Sequence, residues 1–209
     1  MTHTIDQRHF KDLGKMDPED VCRRAQCGYD RDGGCYSLTV WGEEYKIYPA
    51  QSRIVRLWDG RDDMNILFAL FIVQYLLTAR DIPVIGEWVS EKDLPDGAAF
   101  FRGPHAIPTH LIAKRYGDSP GEFCERCELL HGTALDLADE AYSFRIAPRI
   151  PVAVLLWEGD DEFPAESKVL FDRTIGEHLA LDVIFGLAVE ICAKVADCAV
   201  GEKMESKGR

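Results

Sequence analysis

Residues 64–79, MNILFALFIVQYLLTA, form the longest apolar run in the chain and are interrupted by Asn65 and Gln74. Their 16 residues fall short of the roughly 20 that a helix needs to cross a bilayer. Charged groups close both ends, Arg61-Asp62-Asp63 before and Arg80-Asp81 after. A helix that is apolar on nearly every face must be covered on nearly every face. The run therefore predicts a central helix over residues 62–80, buried under a sheet on one side and under other elements elsewhere.

Strand signals precede this helix. Asp17-Pro18 reads as an N-cap followed by proline at the first helical position, for a short helix over 17–24. Asp30-Arg-Asp-Gly-Gly34 marks a turn, and 35–41 and 44–48 form a hairpin around Gly42-Glu43. A third strand over 53–58 is closed by Asp59-Gly60. After the central helix, Ile82-Pro83-Val84-Ile85-Gly86 breaks the chain, and residues 87–103 hold short pieces with Ser90 as a helix cap and Leu94-Pro95-Asp96-Gly97 as a turn. Helices are expected over 108–116 and from Ser119 to 131, the second with Ser119 and Glu122 spaced as a capping box. Strands follow over 141–146 and 152–157, then a short helix over 164–171. The last helix, 181–198, carries Val183, Ile184, Leu187, Ala188, Ile191, Cys192 and Val195 on one stripe. A block of strands, then helices, then further strands argues for an α+β fold: a mainly antiparallel sheet packed against a buried central helix and a long C-terminal helix. Nothing in the composition divides residues 1–200, so a single domain is expected, followed by a polar tail over 201–209.

Charge narrows the partners. A formal net charge of −12, with basic residues dispersed, leaves no positive stripe for nucleic acid or an anionic membrane. The N-terminus, MTHTIDQRHFKDLGK, lacks the apolar stretch of a secretory signal, so the cytoplasm is the expected compartment. The seven cysteines, Cys22, Cys27, Cys35, Cys124, Cys127, Cys192 and Cys198, are an odd and scattered set. Reduced, mostly buried thiols are the reading that fits. No G-x-S-x-G, P-loop or G-x-G-x-x-G pattern occurs.

Two groups of residues carry candidate chemistry. The apolar strand 152–157 runs into Glu158-Gly-Asp-Asp-Glu162, and Asp172 follows at the end of the next segment. Carboxylates on a loop after a strand suit hard cations or polar ligands. Trp157, Glu158, Asp160, Glu162 and Asp172 are thus candidate ligand-binding residues, with Trp157 and Phe163 as walls. The same residues also read as a strand end, a turn and the acidic first turn of a helix. The second group is Cys124-Glu-Arg-Cys127, a pair that a zinc site would have to supplement with two more ligands, and His131 four residues on could join the two thiols on one helix face. Asp30-x-Asp32-x-Gly34 begins like a calcium loop but has Cys35 where glycine is needed and Trp41 where glutamate is needed. His105 and His110, separated by Pro108, share no helical face.

Trp157-Glu-Gly-Asp-x-Glu-Phe-Pro164 with Leu170-Phe-Asp172 resembles the C-terminal signature of a family catalogued only as a domain of unknown function. Ile85-Gly-Glu-Trp-Val-Ser90 and Leu94-Pro-Asp-Gly97 resemble its middle signature, and the likeness covers roughly residues 10–195. The resemblance implies a protein of anaerobic bacteria and archaea, some of whose relatives are joined to small iron–sulfur domains of the kind found with corrinoid and one-carbon proteins. It assigns no catalytic residue and names no cofactor. Three functions are consistent with these signs: an accessory or binding protein of anaerobic metabolism serving a redox or corrinoid-type cofactor, a metal-dependent enzyme built on the acidic turn, and a protein–protein interaction module.

Overall fold

A computed structural model describes residues 5–58 and 64–198. Asp59-Gly60, the charged start expected for the central helix at Arg61-Asp62-Asp63, and the polar tail lie outside the described residues. The chain opens with α1 (Gln7–Leu13) and α2 (Pro18–Ala25). A four-stranded antiparallel meander follows: β1 (Gly28–Asp30), β2 (Cys35–Val40), β3 (Glu43–Tyr48) and β4 (Arg53–Arg56), in that spatial order. Next come α3 (Ile66–Thr78), β5 (Trp88–Val89), α4 (Gly97–Phe100), α5 (His110–Tyr116), α6 (Pro120–Leu129) and β6 (Thr133–Ala134). The chain then runs through β7 (Glu140–Ala147), β8 (Ile150–Trp157), β9 (Glu166–Asp172), α7 (Ile175–His178) and α8 (Leu181–Val195). A second antiparallel sheet has the order β5-β9-β8-β7-β6. The protein is an α+β fold with a long C-terminal helix, as its strand and helix blocks implied. Among the described residues, no helix is long and apolar enough to cross a membrane.

The apolar run becomes α3, capped by the Asn65 side chain, which accepts a hydrogen bond from the Leu67 N–H at 2.9 Å. Phe68, Phe71, Ile72, Tyr75 and Leu76 are buried along it. It packs against α8, α1 and α2. Tyr75 donates to the Ala25 carbonyl at 2.9 Å, tying α3 to the end of α2. One core cluster runs from Phe10 to Ala196 and takes in both sheets. Its hinge is Trp41, whose N–H donates to the Ile146 carbonyl across the sheets at 2.9 Å and whose indole N–H donates to the Leu130 carbonyl at 3.0 Å.

β8 is buried on both faces, which accounts for its unbroken apolar sequence. Val152, Val154 and Leu156 face the main core, while Ala153 and Leu155 meet Ala141 under Trp88, Trp157 and Leu170. Three expectations are corrected. Residues 164–171 do not form a helix. They enter β9, where Ser167, Val169 and Phe171 are buried and Glu166 and Lys168 exposed, a two-residue alternation that outweighs the helix-start signal of Pro164. Ser119 makes no capping bond, and Glu122 instead pairs with Arg115 at 2.8 Å. The first helix is α1, whose N-cap Asp6 accepts from the Arg8 N–H at 2.9 Å and which has only Phe10 and Leu13 buried, too sparse a pattern to read as a period.

Candidate functional site

The acidic turn is the loop of the β8–β9 hairpin, since Trp157 faces Glu166 across the ladder. Its geometry is local. One Asp160 carboxylate oxygen accepts from the N–H groups of Glu162 and Phe163 at 2.8 and 2.7 Å, and the Asp160 N–H donates to the Phe163 carbonyl at 2.8 Å. Those two backbone donors hold its carboxyl below the ordinary range. The Glu158 N–H donates to Asp139 at 3.0 Å. Glu158, Asp160 and Glu162 are exposed, Phe163 is 67 % exposed, and Trp157 is half-buried with the Lys168 ammonium 5.1 Å from its ring centroid. Phe163 therefore walls no enclosed space; it borders an open depression facing His110 and Lys114.

Asp172 does not join this loop. It sits at the far end of β9, six residues from Glu166 and so about 20 Å away along an extended strand. It is 1 % exposed. One oxygen accepts from the Thr174 N–H and hydroxyl at 3.0 and 2.6 Å, the other from the Gly86 N–H at 2.6 Å. Burial works against its charge, but these donors prevail and hold the carboxyl below its usual range. Asp172 thus clamps the segment before β5 and the entry to α7 onto the sheet.

The cysteine group also comes apart. Cys127 is fully buried, and burial pushes its thiol and that of half-buried Cys124 up, away from the thiolate a metal requires. His131 lies beyond the end of α6 in the left-handed region, with φ of 60°, and its exposed ring lies against Gly42 rather than beside the thiols. Among the described residues no three His, Cys, Asp or Glu side chains converge on a position that could hold a metal ion.

A different set of residues forms the best-defined cavity. A cleft of about 340 Å³, open to solvent at its mouth, lies between the first sheet, the start of α3 and the last two turns of α8, lined by Trp41, Glu43, Tyr45, Arg56, Met64, Asn65, Phe68, Glu190 and Lys194. The wall at Trp41 is fixed by the β2–β3 turn. Trp41 and Gly42 both have positive φ, 51° and 79°, and the indole is anchored to Leu130. On the sheet side, the Tyr45 hydroxyl donates to Glu43 at 2.9 Å, and the same Glu43 oxygen lies 3.8 Å from Arg56. The Arg56 guanidinium stands 5.0 Å from the Trp58 ring centroid.

The α8 side is less satisfied. Glu190 Oε1 is buried and has no hydrogen-bond partner among the described residues. Burial pushes this carboxyl up to about 7, against the pull of Lys194. One turn on, the Lys194 ammonium lies 4.6 Å from the Trp41 ring centroid and makes no ion pair among the described residues. Burial lowers its pKa, aided by Arg126 and Arg56 and opposed by Glu43 and Glu190. A half-buried acid and base whose titrations shift toward one another, inside one cavity, are a recognised mark of a functional site. Sequence reasoning passed over both. The available signal was that Glu190 and Lys194 are the two charged residues within the otherwise apolar stretch 183–195.

A family model described as a domain of unknown function (DUF3786) matches residues 17–194. No curated protein and no solved structure matches the chain.

Proposed function

The chain belongs to the DUF3786 family, and from the geometry of its cavity we propose that it binds a compact polar molecule between β3, β4, α3 and α8. The observation that carries this reading is Glu190 Oε1, a buried acceptor left without a donor among the described residues at the wall of the cavity. An unmatched buried acceptor costs about 1–3 kcal/mol, a cost that a ligand N–H or O–H at this position removes. Trp41, Phe68 and Met64 supply apolar walls, and Glu43, Tyr45, Asn65 and Lys194 supply donors and acceptors that fix orientation. At about 340 Å³ the space is at the low end of small-molecule sites, roughly 300–1,000 Å³. That size favours a small metabolite over an enclosed corrinoid macrocycle. It keeps the expectation of a binding protein and moves the site away from the acidic turn.

The test is a thermal-shift screen of small amines, carboxylic acids, hydroxy acids and carbonyl compounds at neutral pH. A ligand at 100 times its Kd adds about 2.7 kcal/mol, which for a domain of this size raises Tm by roughly 5–10 °C. That shift should disappear in Met64→Trp, which fills the cavity, and weaken in Glu190→Gln. A ligand that stabilises both variants as well as the wild type binds elsewhere and overturns the assignment. So does a screen in which nothing stabilises the protein.

A further inference from the structure

We propose that Lys194 is a nucleophilic amine and that the cavity holds small aldehydes or ketones as reversible imines on its Nζ, with Glu190 relaying the proton. The inference rests on the cavity being a ligand site and goes beyond it by naming a bond. Three features carry it. Lys194 is half-buried and makes no ion pair among the described residues, whereas the lysines at Lys15 and Lys168 sit within 2.8 and 3.2 Å of a carboxylate. Its amine is aimed into the cavity and held against the Trp41 face, itself fixed by the bond to Leu130. Glu190 lies one helical turn away on the same face and offers a carboxyl oxygen that no other described residue engages.

The charged groups around the amine are Glu43 on β3, Arg56 on β4, Arg126 on α6 and Glu190 on α8. The Trp41 face, Glu43 and Glu190 favour the ammonium; burial, Arg126 and Arg56 favour the free amine and prevail. A desolvated lysine near other cations is the arrangement that makes an amine nucleophilic at neutral pH. Glu190, pushed up to about 7, is divided between acid and carboxylate there and can both give and take a proton.

The step balances with the chain's own groups. The Nζ lone pair adds to the carbonyl carbon, one C–N bond forms, and the C=O π pair moves to oxygen, which takes a proton from the nitrogen. Protonated Glu190 then delivers its proton to the departing hydroxyl, the C–O bond breaks, and water leaves. The iminium proton returns to the Glu190 carboxylate, leaving a neutral imine and one water for each amine and carbonyl consumed. No oxidant or reductant enters.

The full chain, incubated with pyruvate or with butanal and sodium cyanoborohydride, should acquire a reduced adduct that peptide mapping places on Lys194 ahead of the exposed Lys11 and Lys114. The adduct should be lost in Lys194→Met and should form more slowly in Glu190→Gln. Should Lys194→Met fail to fold, the wild-type pH profile still decides: labelling at Lys194 should persist to lower pH than at Lys11. Labelling of Lys194 no faster than that of Lys11 and Lys114, or with the same pH profile, overturns the inference. Thermal stabilisation by the same carbonyl compounds, lost in Met64→Trp but with no trapping at Lys194, leaves the binding site standing and overturns the covalent step alone. Neither stabilisation nor trapping, together with a screen empty of other ligands, overturns both.

Discussion

Replacing Glu190 by Gln should stabilise the protein at alkaline pH and not at acid pH. In the folded state burial pushes the carboxyl from 4.5 up to about 7. Below pH 4.5 folded and unfolded chains both hold the proton, so the group takes nothing from stability. Between pH 4.5 and about 7 the unfolded chain ionises while the folded chain still holds the proton, so stability falls across that window; above it the folded chain carries a buried carboxylate with an oxygen unmatched among the described residues. The difference amounts to roughly 3 kcal/mol when fully expressed. The cavity mouth admits solvent, so screening reduces this to about 1.5 kcal/mol. Equilibrium unfolding in urea, from pH 4.5 to 8, measures it directly. Glu190→Gln should gain about 1.5 kcal/mol on wild type at pH 8, a Tm rise of roughly 3–6 °C, with the gain vanishing toward pH 4.5. The amide carries a desolvation cost of its own, but that cost is the same at every pH, so the slope of the difference isolates the carboxyl. Other titrating groups are common to both proteins and cancel. A difference independent of pH would refute the reasoning, because Glu190 would then be titrating as it does in water.

Asp172→Asn should show the opposite sign on the acid side. Its carboxyl is held below the ordinary 3.8, so its stabilisation is present above that range and lost as pH falls through it. The variant should be about 2–4 kcal/mol less stable at pH 7, because the amide keeps one acceptor oxygen and turns an NH2 donor toward either Thr174 or Gly86, and its acid limb should be flatter than that of wild type. Leu76→Ala, at a fully buried position of α3, should cost about 2–5 kcal/mol in chemical denaturation. Asp160→Ala should leave every cavity ligand binding as before, while amide exchange quickens at Glu162 and Phe163, whose N–H groups lose their acceptor.

The parts of the fold that were legible were those whose residues contact their own neighbours in sequence. The meander was readable because a glycine separates two β-rich runs; the turn expected at Gly42-Glu43 lies one residue earlier, where Trp41 and Gly42, both with positive φ, close the hairpin between Val40 and Glu43. The central helix was readable because an all-round apolar surface has few other uses. The family likeness at residues 157–172 held as well, for the family model covers that stretch. β9 was misread because Pro164 and the acidic residues before it imitate a helix start, whereas Ser167, Val169 and Phe171 are fixed as a strand face only by Leu156, Val154 and Val152 of β8 opposite. A partner strand is tertiary information, and it outweighs local propensity.

The candidate site was hidden for the same reason in stronger form. Trp41, Tyr45, Arg56, Phe68 and Lys194 come from a turn, two strands and two helices, and each by itself reads as ordinary core or surface. The acidic turn, by contrast, is conspicuous in sequence because its carboxylates are adjacent. Adjacency works against a site, since neighbouring charges repel, stay hydrated and find backbone N–H groups within reach, as Asp160 does with Glu162 and Phe163. Asp172, which spacing placed with them, is carried to the opposite end of a strand because β9 is extended rather than helical. Glu190 and Lys194 have no such local relief. The apolar helix that carries them half-buries them, and among the described residues neither makes an ion pair, so burial raises the carboxyl's pKa and lowers the amine's, drawing the two titrations toward each other.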